Sequence, residues 1–297
     1  MNEPGGTANQ SDAMLPEHVG VVGGGRMGSG IAHAFLTAGS SVTVVEADAS
    51  RGDEARGAVA RAVEASEKRG TLGEPADRVL GRLRLATEVA DLDGCTLAIE
   101  AVPEIPELKH SVLAAISATV PADAVIASNT SSLSISGLAE HVAGPERFLG
   151  LHFFNPVPAS ALVEVVVGTG TSEGTVRAAQ QIVALIGKTA VTVTDSPGFA
   201  SSRLGVLLGL EAIRMVEQGV ASPADIDAAM TLGYKHPVGP LRLTDLVGLD
   251  VRLGVAEYLA STLGERFSPP QLMQDMVARG ELGRKTGRGF YDWTREQ

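Results

Sequence analysis

Residues 19–28 read Val-Gly-Val-Val-Gly-Gly-Gly-Arg-Met-Gly, and this stretch decides the fold of the first part of the chain. Its first four residues predict a short buried strand, and apolar residues at helical spacing over 31–35 predict a helix directly afterwards. Gly23, Gly25 and Gly28 thus form a GxGxxG turn between strand and helix, the context in which this motif binds a dinucleotide. There the first glycine permits the tight turn, the second lets the backbone approach a pyrophosphate, and the third allows close helix packing. A purely structural turn is the alternative interpretation.

The second predicted strand, residues 41–45, is followed by a carboxylate. Glu46 comes eighteen residues after Gly28, close to the spacing at which an acid binds the adenosine ribose hydroxyls. Because a carboxylate there would repel the additional phosphate of NADP, the sequence favours NAD as the cofactor. Arg51 lies near enough to leave some use of NADP open. Arg26 and Met27, within the turn, are also predicted to contact the cofactor.

The order of the predicted elements indicates two domains after a tail. Residues 1–16 lack apolar periodicity and predict a flexible tail. Strands and helices alternate over residues 17–196, which is typical of a Rossmann-type α/β fold with a doubly wound, mainly parallel sheet. Residues 50–88 predict two helices in a hairpin inserted into this domain. Residues 197–297 show only helical periodicity and predict a smaller all-α domain for dimerisation and substrate binding.

Several further elements are predicted from apolar spacing and from breaks at glycine and proline. The later strands are expected at Thr96–Ala101, Ala124–Ala127, Phe148–Phe154, Leu162–Val167 and Ala190–Thr194. The helices between them are expected at Glu107–Thr119, Ile135–His141 and about 174–186. In the second domain the helices are expected at Leu204–Glu217, at about 225–230 after Ser222-Pro223, at Leu241–Leu263 and at Pro270–Arg279.

Composition excludes some classes of function. With 24 basic and 35 acidic residues the formal net charge is −11, and only 4% of residues are aromatic, so a nucleic-acid partner is not expected. No apolar run approaches the roughly 20 residues that span a bilayer, and the first residues do not resemble a signal peptide, so no membrane partner is expected. Cys95 is the single cysteine, which fits a reducing cytoplasm. No metal site is predicted.

Polar residues follow two of the predicted strands. Ser131 lies in the run Ala127-Ser128-Asn129-Thr130-Ser131-Ser132, and His152 lies in Leu151-His152-Phe153-Phe154-Asn155-Pro156. Because carboxyl ends of parallel strands meet at one crevice, these side chains are expected near the nicotinamide. Oxidation of an alcohol needs a base for the hydroxyl proton, and histidine has a suitable pKa. Glu164, twelve residues after His152, could orient the imidazole and stabilise its charged form. Taken alone, the histidine is more often structural.

Six motifs together resemble the 3-hydroxyacyl-CoA dehydrogenase family, over Val19–Trp293. They are Gly23–Gly28, Glu100-Ala101-Val102-Pro103-Glu104, Ser128–Leu133, His152–Pro156, His236-Pro237-Val238-Gly239-Pro240 and Lys285-Thr286-Gly287-Arg288-Gly289-Phe290-Tyr291. The resemblance implies reversible, NAD-dependent oxidation of an (S)-3-hydroxyacyl-CoA, short-chain and of the 3-hydroxybutyryl-CoA kind, to the 3-oxoacyl-CoA. It also implies His152 as catalytic base, Glu164 as its partner, and Ser131 as the hydrogen-bond donor to the substrate oxygen, close to the cofactor.

The resemblance extends to residues that hold the two ligands. It implies contacts with NAD from Glu46, Glu104, Lys109, Asn155 and Lys285. Solvated surface charge is the alternative for the two lysines. In the hairpin the family binds coenzyme A through small polar and basic residues, a role that Lys68 or Arg69 would take here. A solvated helix end is the alternative for this pair.

Two positions depart from the pattern that many relatives share. Ala161 stands where a lysine is common, and Ser202 stands at the place of an asparagine that contacts the active site. These departures leave the exact substrate open. One alternative is a dehydrogenase on the same scaffold that acts on a sugar acid, a pyridine-type alcohol or a three-carbon unit on a carrier protein. Another is an NAD-binding protein without catalysis, which the joint presence of Ser131, His152 and Glu164 disfavours.

The second domain carries more apolar surface than about 100 residues can readily bury alone. This surface lies on Leu204–Met215 and Leu241–Leu253. A homodimer through the helical domain is therefore expected.

Overall fold

The computed structural model describes residues 14–294, in two compact units that meet at Asp195–Ser196. Most of the predicted tail, residues 1–13, lies outside the described residues. The first unit contains one sheet with helices, and the second unit is helical. The predicted fold class is thereby confirmed.

The sheet of the first unit has eight strands, in the order β3-β2-β1-β4-β5-β6-β7-β8. Their bounds are β1 His18–Val22, β2 Ser41–Val45, β3 Leu83–Ala86, β4 Leu97–Glu100, β5 Val125–Ser128, β6 Phe148–Phe153, β7 Leu162–Val167 and β8 Thr189–Thr194. All neighbouring strands are parallel except β6 and β7. The reversal at β7 brings the start of that strand to the carboxyl end of β6.

Six helices accompany the sheet: α1 Arg26–Ala38, α2 Ala49–Lys68, α3 Ala76–Leu80, α4 Pro106–Thr119, α5 Ile135–Ala139 and α6 Glu173–Leu185. The interior strands β4 and β6 are buried along their whole length, as expected for strands covered on both faces. The core includes Val21, Phe35, Ile99 and Leu151. Helix α1 ends at Gly39, which adopts the left-handed conformation and donates its N–H to the carbonyl oxygens of Leu36 and Phe35.

The interpretation of residues 50–88 as a pure helical hairpin is wrong in part. Helix α2 has 20 residues, but α3 has only five, and β3 follows as an edge strand paired with β2. Arg84 interrupts the short apolar run of β3, and its side chain pairs with Asp91 on the exposed side. Strand β3 exists because β2 offers a free edge, which a local pattern does not reveal.

The second unit has five helices: α7 Ser201–Glu217, α8 Pro223–Ala228, α9 Pro240–Val247, α10 Leu249–Leu263 and α11 Gln271–Ala278. Ser222 caps α8, accepting a hydrogen bond from the Asp225 N–H, with Pro223 in the first turn as predicted. The single helix expected over Leu241–Leu263 is wrong, because the chain breaks at Gly248, whose φ of 107° does not fit a helix.

Two buried aspartates hold the second unit together. Asp227 accepts hydrogen bonds from the N–H groups of Leu241 and Arg242 at the start of α9, both at 2.8 Å. Asp245 accepts from the N–H groups of Phe290 and Tyr291 at 3.0 and 2.9 Å, and from Trp293 Nε1 at 2.8 Å. Burial raises the pKa of Asp245 against these bonds, which lower it. The 236–240 and 285–291 motifs thus flank contacts that organise the fold.

Candidate active site

The reversal at β7 sets His152 directly opposite Glu164. The two residues are cross-strand partners in the antiparallel β6–β7 pair, and His152 Nδ1 lies 2.8 Å from Glu164 Oε2. Both side chains are buried, with residue exposures of 7% and 1%. A carboxylate only accepts hydrogen bonds, so the imidazole proton belongs on Nδ1 and the basic lone pair on Nε2. The family resemblance implies Glu164 as the partner of His152, and the structure brings the two side chains together.

The end of β6 is fixed by the neighbouring strand β5. Asn129, directly after β5, accepts a hydrogen bond from the Phe153 N–H at 2.9 Å through its Oδ1. The parallel β5–β6 pairing brings the 129–132 turn to the same edge of the sheet as His152. Sequence reasoning gives Asn129 no role of its own. Its position next to Ser128 at a strand end was the available signal.

A buried ion pair underlies the 129–132 turn. Lys109 of α4 is 1% exposed, and its Nζ lies 2.7 Å from Glu100 Oε1 and 3.2 Å from Glu104 Oε2. Glu100, at the end of β4, is fully buried and also accepts from the Ser128 hydroxyl and, at 2.8 Å, from the Val102 N–H. The alternative of solvated charge for Lys109 is therefore wrong. The role of Glu100 was missed, although an acid that closes an apolar strand is an unusual pattern.

Glu104 holds Ser131 through the backbone. One carboxylate oxygen accepts hydrogen bonds from the Ser131 N–H at 3.0 Å, from the Ser132 N–H at 3.2 Å, and from the Thr130 hydroxyl. Burial alone would raise the pKa of Glu104, but Lys109 and these donors outweigh it and lower the pKa below its usual value. The carboxylate stays charged and gives the 130–132 turn one fixed shape.

The glycine turn has the geometry that a dinucleotide needs. Gly23 has a φ of 96°, and a Cβ there would lie 2.7 Å from the Ala101 carbonyl oxygen. A Cβ at Gly28 would lie 1.7 Å from the Gly23 carbonyl oxygen, so helix and turn approach too closely for any side chain. A Cβ at Gly25 would meet no protein atom within 4 Å, and no side chain caps α1. The exposed helix N-terminus therefore presents N–H groups that fit a pyrophosphate.

Four further predicted cofactor residues lie on exposed or half-exposed parts of the first unit. Glu46 accepts from the Gly24 N–H at 2.6 Å and from the Ala47 N–H at 3.2 Å, which fixes the carboxylate beside the glycine turn. Arg26 is exposed and Met27 half-buried in the first turn of α1. Asn155 is exposed, just beyond β6. These positions agree with a cofactor lying over the carboxyl edge of the sheet.

The predicted coenzyme A residues lie at the carboxyl end of α2. Lys68 and Arg69 are both exposed, and Arg69 Nη2 donates to Ser66 Oγ at 3.0 Å. Arg69 lines a cavity of about 380 Å³ together with Ala62, Ala65, Pro156, Pro158 and Ala159. We call this space the α2 cavity.

Two predicted residues belong to the second unit. Lys285 Nζ makes a bidentate ion pair with Asp250, at 2.6 Å from each carboxylate oxygen, and its side chain is 46% exposed. Ser202 is half-buried in the first turn of α7.

Over residues 14–294, no helix is both long and apolar enough to cross a membrane.

Comparison with known proteins identifies the family. The family model for the NAD-binding domain of 3-hydroxyacyl-CoA dehydrogenase matches residues 18–196, and the model for its C-terminal domain matches residues 198–293. The chain is 42% identical to the 3-hydroxybutyryl-CoA dehydrogenase of Mycobacterium tuberculosis, over 95% of this chain and 100% of that protein. It is 40% identical to the protein of the same name from Bradyrhizobium diazoefficiens, over 95% of this chain and 97% of that one.

A solved structure agrees with these sequences. The crystal structure of (S)-3-hydroxybutyryl-CoA dehydrogenase from Ralstonia eutropha superposes with a TM-score of 0.89 at 40% identity, over 94% of this chain and 99% of that one. The resemblance predicted from the six motifs is confirmed. The chain belongs to the 3-hydroxyacyl-CoA dehydrogenase family and is an NAD-dependent oxidoreductase of 3-hydroxyacyl-CoA thioesters.

Proposed function

We propose that this enzyme interconverts short-chain (S)-3-hydroxyacyl-CoA and 3-oxoacyl-CoA, with 3-hydroxybutyryl-CoA as the preferred kind of substrate. The observation that carries the proposal is the buried pair of His152 and Glu164, with 2.8 Å between Nδ1 and Oε2. Two relatives at 40–42% identity that bear the name 3-hydroxybutyryl-CoA dehydrogenase support the short acyl chain.

His152 acts as the general base. Its Nε2 takes the proton of the substrate 3-hydroxyl, and in the reverse direction returns it to the carbonyl oxygen. Bound NAD supplies the hydride acceptor for C3. The Glu164 carboxylate, which remains ionised, contacts Nδ1 and stabilises the imidazolium that forms. General-base catalysis of this kind contributes typically ~10²–10⁴-fold to the rate.

Ser131 orients the reacting oxygen. Its hydroxyl donates to the substrate oxygen, and its backbone is held by Glu104, which accepts the Ser131 N–H. Lys109, buried between Glu100 and Glu104, acts here by fixing that carboxylate. We assign Lys109 a positioning role in the cofactor site.

The remaining residues hold the cofactor and the thioester. The turn of Gly23, Gly25 and Gly28 with the start of α1 cradles the pyrophosphate, and Glu46 binds the adenosine ribose. Arg26, Met27 and Asn155 complete the part of the cofactor site that lies in the first unit. Lys68 and Arg69 hold coenzyme A. Glu46→Ser is expected to improve the use of NADP relative to NAD, because the carboxylate repulsion is removed.

We also propose that the enzyme is a homodimer through its second unit. Several large apolar side chains are exposed on α7, α9 and α10, among them Leu204 at 68%, Val251 at 50% and Val247 at 45%. Exposed apolar clusters of this kind are typical of protein interfaces. Light scattering at micromolar concentration tests this, and a monomer would contradict it.

One assay tests the reaction, and one variant tests the pair. The purified enzyme should oxidise NADH with acetoacetyl-CoA faster than with longer 3-oxoacyl-CoAs. Glu164→Gln should lower turnover at least about tenfold and change the pH–rate profile, since loss of a nearby anion disfavours the imidazolium. A normal pH–rate profile in this variant would contradict the pairing. Absence of turnover with every 3-oxoacyl-CoA would contradict the proposed reaction.

Ser202 tests the substrate side of the proposal. Its hydroxyl is shorter than an asparagine amide and offers one donor instead of two. Ser202→Asn should remain active and shift preference among acyl chains by about 1–2 kcal/mol at most, the range of one hydrogen bond with modest repacking. Specificity constants across a chain-length series measure this shift, and unchanged ratios would remove Ser202 from the substrate site.

A further inference from the structure

A second cavity lies beside the α2 cavity in the first unit, and the two cavities have two lining residues in common. It has a volume of about 260 Å³ and is bounded by α1, the 158–161 segment and the turn before β8. We call it the α1 cavity. Its polar side chains include those of His33, Thr37 and Lys188, and it shares Pro158 and Ala159 with the α2 cavity. Ala161, which replaces the lysine of many relatives, is also in its wall.

His33 offers an unused hydrogen-bond donor there. The residue is 5% exposed, its Nε2 lies 2.9 Å from Ser66 Oγ, and its Nδ1 is buried without a partner. Arg69 can only donate, so Ser66 Oγ accepts from Arg69 and keeps its own proton available for His33 Nε2. When Ser66 donates in this way, the imidazole proton of His33 lies on Nδ1. A buried donor without an acceptor is destabilising, so a ligand that accepts this proton is favoured.

Lys188 adds a partly buried cation. Its Nζ donates to the carbonyl oxygens of Val157 at 2.7 Å and of Ser160 at 2.5 Å, which uses two of its three protons. These acceptors are neutral, so they leave the positive charge of Lys188 uncompensated. Burial lowers the pKa of Lys188 from its usual value.

The charge around the two cavities is of one sign. Burial, Arg69 and Lys188 together lower the pKa of His33 to about 4, which means that both cations act on the imidazole. Among the described residues that line either cavity there is no aspartate or glutamate. In a chain with a formal net charge of −11, this is a local positive site.

We infer that the α1 cavity is an oxyanion site for a phosphate group. The His33 Nδ1–H and the Lys188 ammonium bind the phosphate, and Arg69 lies nearby. A phosphate has several acceptor oxygens for these donors and a charge that matches the cations. The volume of about 260 Å³ leaves room for the rest of a phosphate ester. The phosphate comes either from coenzyme A or from a free phosphate compound. The first source rests on the proposed function, and the second does not.

The test follows His33 by histidine-selective NMR in the full-length enzyme saturated with NAD. Sulfate is the probe, because it stays a dianion over the pH range in which His33 titrates. At constant ionic strength, sulfate should raise the pKa of His33 by about one unit or more, since a nearby anion favours the imidazolium. Lys188→Met should abolish this shift and Lys188→Arg should retain it. Arg177→Met, which removes an exposed cation of α6, is the matched control and should also retain it.

Coenzyme A and dephospho-coenzyme A, which lacks the 3′-phosphate, distinguish the sources. If coenzyme A shifts the pKa of His33 at a concentration at least about tenfold lower than dephospho-coenzyme A or sulfate requires, the cavity is assigned to the 3′-phosphate. Equal effects of both thiols and sulfate assign it to free phosphate compounds. An effect that chloride reproduces at the same ionic strength means an adventitious ion only and overturns the inference. If the pKa of His33 does not change in an enzyme that reduces acetoacetyl-CoA, the inference is overturned and the proposed function stands. If the pKa of His33 changes but the enzyme shows no turnover, the inference stands and the proposed function is overturned.

Discussion

The carboxyl edge of the sheet and the α1 cavity both bury charged or titratable groups, but they balance them differently. At the sheet edge Lys109 lies between Glu100 and Glu104, and His152 lies against Glu164. In the α1 cavity His33 and Lys188 have only hydroxyl and carbonyl partners. Buried charges of opposite sign fix each other in place, whereas a cation without a counter-ion favours a ligand of the other sign. The charges of the first region are thus balanced within the chain, and the second region is suited to an anionic ligand.

The largest effect is expected from His152→Gln. It removes the base while the glycine turn stays intact, so turnover should fall by roughly 10²-fold or more with NAD binding retained. Steady-state kinetics and a cofactor titration measure the two quantities. Near-normal turnover would show that the His152–Glu164 pair is structural. The sheet edge would then no longer differ from the α1 cavity by carrying a catalytic pair.

Lys109→Met tests whether the sheet edge depends on paired charges. The change leaves Glu100 and Glu104 without their cation, so the free energy of unfolding should fall by about 3–5 kcal/mol. Urea denaturation measures it, and the exposed Lys68→Met is the control, with an expected change within about 0.5 kcal/mol.

Adding Glu100→Gln to Lys109→Met should recover part of the lost stability. The fully buried carboxylate that lacked a cation is then replaced by a neutral amide. If the double variant were as unstable as the sum of the single ones, the two residues would not be coupled.

The pH dependence of stability probes the α1 cavity. The pKa of His33 is about 4 in the folded chain, against an ordinary value of 6.5 when unfolded. Between these values the unfolded chain binds the additional proton, so stability is complete above pH 6.5 and falls as the pH drops towards 4. The loss should amount to about 3 kcal/mol at the lower end. His33→Gln should flatten this part of a urea denaturation series, and an unchanged slope would contradict the assignment.

The smallest effect is expected from Ser66→Ala. It removes the hydroxyl between Arg69 and His33, and should lower the free energy of unfolding by about 1–2 kcal/mol, the cost of one unsatisfied buried group. Ser261→Ala, at an exposed serine of α10, is the control and should change stability by less than about 0.5 kcal/mol. A loss no greater than that of the control would show that the Arg69–Ser66–His33 chain of bonds is unimportant.

The features that sequence could predict are local ones. The glycine turn, the Gly39 cap and the Ser222 cap each depend on residues within a few positions, so their patterns are complete in the sequence. The break at Gly248 is also a local feature, but its sequence pattern is ambiguous, because a glycine inside an apolar run also occurs in intact helices. Strand β3 could not be predicted, because it forms on the edge of β2, forty residues earlier.

The candidate site was predictable in its members and not in its arrangement. His152 and Ser131 lie at or after predicted strand ends, and the family resemblance implies their roles and that of Glu164. The burial of Lys109 does not, because its partners Glu100 and Glu104 come from a strand end and the loop after it. A lysine in a charged helical turn is normally solvated, and only the packing of α4 makes this one an internal cation. His33 was missed for the opposite reason, since its neighbours in α1 mark it only as a core residue.

The antiparallel β6–β7 pair has a consequence for how members of such a family can diverge. The distance between His152 and Glu164 is set by the hydrogen-bond ladder, in which each residue faces a fixed partner. The side chains of the intervening segment, residues 154–161, contribute walls to both cavities and take no part in that ladder. Substitutions there can therefore alter the cavity walls while the acid–base pair keeps its geometry. The cavity walls and the acid–base pair occupy one short stretch of chain and can still evolve independently.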